Sequence, residues 1–292
     1  MGEGDSLYAK AEAKLKSATR GFSFFTDKPT IYDEAAELFK DAAARYYADD
    51  QLQQSGKAYE RSANIRLTNL NDELEAAAML EKAHTSYLSV DRAKAISISE
   101  QVIQLQTNKG RFDRAAKTHE DLGGLYATSN NPQDKAKAIE NLEKSIKYYT
   151  DAKRPASANK NRQLAAQVAA ELGDYYKAID LLMIGAETTA AAPNGRFLVK
   201  TYLFKVGVCS LATGDIVGIK KVLDNCGRID PGFYQEREGR FIIDQMEALE
   251  QQDSDRIKAN TAAWVPAPEP WMRQLLDTVV VNHATAPEED FS

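Results

Sequence analysis

Apolar residues recur along the chain at three- and four-residue intervals almost from end to end. Over 31–47 they fall at Ala35, Ala36, Leu38, Phe39, Ala42, Ala43 and Tyr46. This is the i, i+3, i+4, i+7 spacing of one helix face. The same stripe returns at Ala138, Ile139, Leu142, Ile146 and Tyr149. Alternating runs of Val, Ile and Thr, the mark of strands, are scarce. Pro132, Pro155, Pro193 and Pro231 stand where one periodic segment gives way to the next, as expected of residues that break a helix interior. The pattern predicts an all-α chain of about fourteen helices, the first over roughly 5–18 and the second over roughly 30–48.

A repeat underlies the pattern. A Lys-Ala-aromatic or Lys-Ala-Ile phrase occurs at Ala58, Ala95, Ala138 and Ala178, spaced 37, 43 and 40 residues apart. A second phrase, Gly followed by an aromatic or Ile and then Ala or Ile, occurs at Gly110 to Ala115, Gly173 to Ala178 and Gly214 to Ile219. Gly should close one helix, the aromatic should open the next and pack across, and Ala should let two backbones approach. A period near 40 is one helical hairpin, and hairpins that cannot bury a face alone must stack. The fold predicted is a tetratricopeptide-like twisted sheet of helical hairpins over 1–190, with an apolar loop at 21–25. A C-terminal helical bundle should follow over 191–283, after the break at Ala190 to Gly195, and an acidic tail over 284–292.

Composition excludes more than it assigns. Of 292 residues, 43% are hydrophobic and 27% charged, with 37 basic against 43 acidic side chains and a net charge of −6. The chain can bury a core and is not disordered. The acidic balance argues against general nucleic-acid binding. No segment is apolar enough to span a bilayer, and the acidic start at Met1 to Ser6 lacks the apolar region of a signal peptide. Cys209 and Cys226 fit a reducing, cytoplasmic setting as buried thiols.

No catalytic constellation is present, so the chain is read as a non-enzyme without cofactor or metal. His84, His119 and His283 lack metal-ligand spacing. His119-Glu120 begins like a zinc-protease motif, but Gly123 occupies the second histidine's position. Gly56-Lys57 lacks the earlier glycine of a phosphate-cradling loop.

Charge distribution says more than the total. Residues 152–170 contain no acid but carry Lys153, Arg154, Lys160 and Arg162. Residues 188–214 also lack acids and carry Arg196, Lys200 and Lys205. Arg111, Arg114 and Lys117 recur at i, i+3, i+6, close to one side of a helix. In a stacked array such clusters can line up into a stripe facing an acidic, elongated partner. After Arg273 the chain has Asp277, Glu288, Glu289 and Asp290 and no Lys or Arg. Phe22, Phe24 and Phe25 crowd the connection between the first two helices. Such a loop either inserts into a membrane interface or packs as a staple onto those helices.

Taken together these segments resemble the soluble NSF-attachment proteins along essentially the whole chain. The resemblance is carried by Phe22-Ser23-Phe24-Phe25, Gly110-Arg111-Phe112 with Ala115-Ala116-Lys117, Ser157-Ala158-Asn159-Lys160, Lys200 to Lys205, and Glu288-Glu289-Asp290-Phe291. It implies an adaptor that coats the SNARE four-helix bundle and recruits the hexameric AAA ATPase NSF to disassemble it. The adaptor would be monomeric when free, with several copies per SNARE complex, working in the cytoplasm and peripherally on membrane faces. The implied SNARE-binding residues are Arg111, Lys117, Lys160, Lys200 and Arg237. The implied membrane-binding residues are Phe22, Phe24 and Phe25, and the implied NSF-binding residues are Glu288, Glu289, Asp290 and Phe291. The chain departs from the family at Leu164, which replaces a basic residue, at the Pro-rich 264–270 segment, and at Phe291, where leucine is usual. The alternative is a tetratricopeptide-like scaffold for peptides or cargo unrelated to SNAREs.

Overall fold

Fourteen α-helices and one short 3-10 turn make up the ordered elements of the computed structural model, which describes residues 2–20, 27–193, 195–264 and 269–284. The helices are α1 (Glu3–Arg20), α2 (Lys28–Ala48), α3 (Leu52–Thr68), α4 (Glu73–Tyr87), α5 (Arg92–Asn108), α6 (Phe112–Ala127) and α7 (Pro132–Asp151). They continue as α8 (Pro155–Glu171), α9 (Tyr175–Ala190), α10 (Arg196–Thr213), α11 (Ile216–Ile229), α12 (Arg237–Glu250), α13 (Ser254–Ala263) and α14 (Pro270–Ala284). The 3-10 turn spans Phe233–Gln235. There is no strand among the described residues, in line with the all-α expectation. The Phe22, Phe24 and Phe25 loop and the Glu288, Glu289, Asp290 and Phe291 tail lie outside the described residues.

The chain forms two compact units, Met1–Leu122 and Gly123–Ser292. In the first, α1 to α5 each pack on the next. Phe39 is fully buried among Ala11, Ala35, Ala36 and Ile65, with Tyr8 set edge-on to its ring at 5.0 Å. Burying a side chain of that size contributes about 1.5–3 kcal/mol. In the second unit α7 to α10 pack in the same sequential way, and then the pattern changes. Helix α10 touches α9, α11, α12 and α14, and α14 returns to α8. A central apolar helix explains this: Leu203, Val206, Val208, Cys209 and Leu211 are all buried and do not confine themselves to one stripe.

The repeat alanines have a clear role. Ala58, Ala95, Ala138 and Ala178 fall one each on α3, α5, α7 and α9, and each is 0% exposed. At Gly56 even a methyl is excluded, because an added Cβ would lie 2.5 Å from the buried Tyr87 ring. The residues two after each glycine, Phe112, Tyr175 and Ile216, open α6, α9 and α11 as expected. Phe112 is about half exposed and Tyr175 and Ile216 are part-buried, whereas Ala115, Ala178 and Ile219 on the same helices are sealed. Close backbone approach at these alanines draws the hairpins together.

One turn geometry serves six of the hairpins. A single residue enters the left-handed region, at Asp50, Asn71, Gly110, Lys153, Gly173 and Gln252. The next amide then donates back to the preceding helix: Gln51 to Tyr46, Asp72 to Arg66, Arg111 to Gln106, Arg154 to Tyr149, Asp174 to Ala169 and Asp253 to Ala248, all at 2.8–2.9 Å. This satisfies carbonyls that a helix end leaves open. The residue after the turn is often aspartate, and Asp72, Asp174 and Asp253 each accept a hydrogen bond from the amide three residues on. Turn and N-cap are thus one device that ends a helix and starts the next.

Candidate protein-binding surfaces

In the first unit the left-handed Gly110 turns the chain so that Arg111 precedes the first residue of α6. Its carbonyl accepts from Arg114 and Ala115 at 3.1 and 3.0 Å. Lys117 follows on the exposed face, with 58% of its side chain open to solvent. Its ammonium donates to Asp121 Oδ1 at 2.7 Å and reaches Glu120 at 3.4 Å, both on α6. Burial opposes the charged Lys117, but the Asp121 hydrogen bond and the two carboxylates outweigh it and raise its pKa. Arg114 pairs with Glu81 of α4 at 3.3 Å. The basic side of α6 is therefore interleaved with acids contributed by its own next turn and by α4.

Below these ion pairs lies a 170 Å³ cleft lined by Glu81, His84, Ser99, Arg114, Lys117 and Asp121. His84 is buried, with Nδ1 3.1 Å from Ala95 O and 2.9 Å from Ser99 Oγ. It ties α4 to α5 and is a packing histidine.

In the second unit the stretch 188–214, acid-free in sequence, is not acid-free in space. Lys160 lies on the exposed face of α8. Its neighbour Arg162 is buried, where its guanidinium donates to Asn159 Oδ1 at 2.7 Å and Thr150 Oγ1 at 3.3 Å. Desolvation lowers its pKa. One turn beyond Lys160, Gln163 joins α8 to α10 by donating to Tyr202 Oη at 2.8 Å and accepting from Lys205 Nζ at 2.9 Å. Lys205 is itself buried and paired with Glu269 at 2.8 Å. Lys200 bonds Glu236, the residue immediately before Arg237. The structure thus brings Lys200 and Arg237 together, although they are far apart in sequence.

Arg237 opens α12 and is exposed, its guanidinium 5.0 Å above the Trp264 ring centre. Trp264 closes α13 and stacks on Phe204 at 5.0 Å and against Phe241 at 4.5 Å. On the far side of the proline-rich segment, Glu269 takes Lys205 and the Trp271 indole N–H at 2.9 Å. Burial tends to raise the Glu269 pKa, but these two donors and the Lys205 charge hold it below its ordinary value. The helix break between α13 and α14 is therefore anchored at both sides, by Trp264 and by Glu269. Sequence reasoning named Arg237 but missed Arg240, one turn on, and the aromatic platform beside it. The available signal was the i, i+3 spacing of the two arginines upstream of an isolated Trp. No helix among the described residues is long and apolar enough to cross a membrane.

The family model "Soluble NSF attachment protein, SNAP" matches residues 2–279. A vesicular-fusion protein sec17 homolog from Schizosaccharomyces pombe is 33% identical over 251 residues, which is 86% of this chain and 85% of that one. The alpha-soluble NSF attachment protein of Mus musculus is 29% identical over 253 residues, 87% and 84% of the two chains. Among solved structures, BtubC from P. vanneervenii aligns with a TM-score of 0.47 at 12% identity, covering 81% of this chain and 94% of that one.

Proposed function

Because the chain belongs to the soluble NSF attachment protein family, we propose that it is an adaptor of vesicle fusion and not an enzyme. It binds assembled SNARE complexes through basic residues and recruits an NSF-type AAA ATPase that takes them apart. The observation that carries this reading is the family match across residues 2–279.

Arg111, Lys117, Lys160, Lys200 and Arg237 are the residues that meet the acidic SNARE bundle. Lys117, Lys160 and Arg237 support this because they are exposed. The carboxylates on Lys117 belong to its own helix, so a partner's carboxylate can exchange for them at small cost. Phe22, Phe24 and Phe25 touch the membrane interface, where apolar rings beside Lys28 suit anionic lipid. Glu288, Glu289, Asp290 and Phe291 engage the ATPase. Several copies act on one SNARE complex, so modest individual contacts add up to avidity.

The test is reconstitution. The purified protein should bridge a SNARE complex to NSF and permit ATP-dependent disassembly. Lys117→Glu with Lys160→Glu should weaken the SNARE pull-down about tenfold or more at low salt, the loss expected when two rim cations are reversed. Helical circular dichroism should be unchanged. Undiminished binding at low salt would remove these cations from the interface, and failure to bridge at all would remove the adaptor function.

A further inference from the structure

We infer that the acidic C-terminal segment of this same chain docks back into the cleft between α12 and α13, placing Glu288, Glu289 and Asp290 against Arg237 and Arg240. The inference does not rest on the SNARE assignment, because it concerns the chain free in solution.

The cleft measures 320 Å³ and is lined by Arg237, Arg240, Phe241, Asp244, Asn260 and Trp264. Its two guanidiniums lie one turn apart on α12, and neither has a carboxylate within 4.0 Å among the described residues. Of the two acids flanking Arg237, Glu236 is held by Lys200, and Glu238 makes no ion pair with either arginine and does not line the cleft. Arg237 instead rests on Trp264, an arrangement that keeps the guanidinium edge available for bidentate carboxylate binding. Asp244 is the one acid in the lining, so the cleft keeps a positive balance. Asn260 Nδ2 is buried there with no hydrogen-bond partner among the described residues. A buried amide donor left open is costly, and an entering carboxylate oxygen satisfies it. Trp264 and Phe241 add an aromatic wall suited to the ring of Phe291.

The occupant is set by reach and charge. Ser254 Oγ, at the start of α13, donates to His283 O at 2.5 Å, so α14 ends beside the first turn of α13. The cleft lies at the other end of α13, whose 10 residues span about 15 Å at ~1.5 Å per residue. An extended chain covers about 3.3–3.6 Å per residue, so Glu288, Glu289 and Asp290 reach the cleft from His283 with little slack. The segment after Arg273 contains no Lys or Arg, and Asp277 is already held by Arg273 at 3.0 Å. The three carboxylates at 288–290 are thus a block of acids with no base of its own, within chain reach of two guanidiniums that make no ion pair among the described residues. A short tether gives them a millimolar effective concentration. An acidic partner that uses Arg237 must first displace the tail.

The test is amide hydrogen exchange on the full chain and on the full chain carrying Glu288→Gln, Glu289→Gln and Asp290→Asn. The expected result is that amides in 237–244 and 257–264 exchange roughly twofold or more faster in the neutralised chain, the gain set by a millimolar tether. Other helices should be unaffected, and the effect should be independent of protein concentration. It should vanish near 1 M salt, where the Debye length is about 3 Å. Equal exchange in the two chains overturns the inference. Protection that grows with protein concentration also overturns it, by making a second copy the occupant. Protection that survives high salt overturns the carboxylate–guanidinium pairing.

Discussion

Helices α6 and α10 both present lysines to carboxylates, but they hold them in different ways. On α6, Lys117 is 58% exposed and its acids, Glu120 and Asp121, stand one turn along the same helix. On α10, Lys200 and Lys205 are part-buried and buried, and their acids, Glu236 and Glu269, arrive from other elements. The first arrangement is local and wet, so water or an incoming carboxylate replaces it at little cost. The second fixes tertiary structure, because releasing Lys205 leaves an ammonium with little water. A cation's presence in an acid-free sequence stretch does not distinguish these roles; the source of its counter-charge does.

That comparison breaks first at Glu269. Glu269→Ala removes the carboxylate from both Lys205 and Trp271 and should cost about 1.5–3 kcal/mol in urea denaturation. A loss under about 0.5 kcal/mol would make the Lys205 pair no more structural than a surface one. The pH dependence follows from the same contact. The Glu269 pKa lies below its ordinary 4.5 in the fold, so its contribution is present above about pH 4.5 and is lost as the pH falls through the folded value. The Ala variant should therefore lose less stability than the parent on acidification below that point.

Next comes Glu236→Ala, which releases Lys200. With that lysine about a third exposed, the cost should be about 0.5–1 kcal/mol by the same denaturation measurement. A cost matching that of Glu269→Ala would erase the gradation along α10. The smallest effect is expected at Asp121→Ala, below about 0.5 kcal/mol. In that variant Lys117, left with Glu120 alone at 3.4 Å, should bind an acidic helical partner at least as tightly as the parent in a titration. Clear destabilisation there would show that α6 depends on its local pairs after all.

Much of the fold was legible because helical spacing and the recurring alanine leave plain marks. Ala58, Ala95, Ala138 and Ala178 mark the hairpin period, and all four are sealed between helices. The turns were only partly legible. Gly110 and Gly173 announced the left-handed position, whereas Asp50, Asn71, Lys153 and Gln252 occupy it without a glycine to mark it. Their strain is borne by the backbone hydrogen bond that follows each. The candidate surface was legible only as composition. Nothing local distinguishes exposed Lys160 from buried Arg162 two residues later, since a helix turns about 100° per residue and neighbours face different surroundings. The Arg237–Trp264 platform was hidden because its parts come from two helices and are joined only by packing.

Cys209 and Cys226 have a consequence of another kind. Both are buried on interior helix faces, and desolvation pushes each thiol up to about 12. Neither presents thiolate at neutral pH, so both should be silent toward maleimides and mild oxidants. A single cysteine introduced on the surface would then react alone. The native sequence thus serves as a background-free scaffold for a fluorophore or spin label, and each helix could be tracked through one engineered reporter without first deleting the natural thiols.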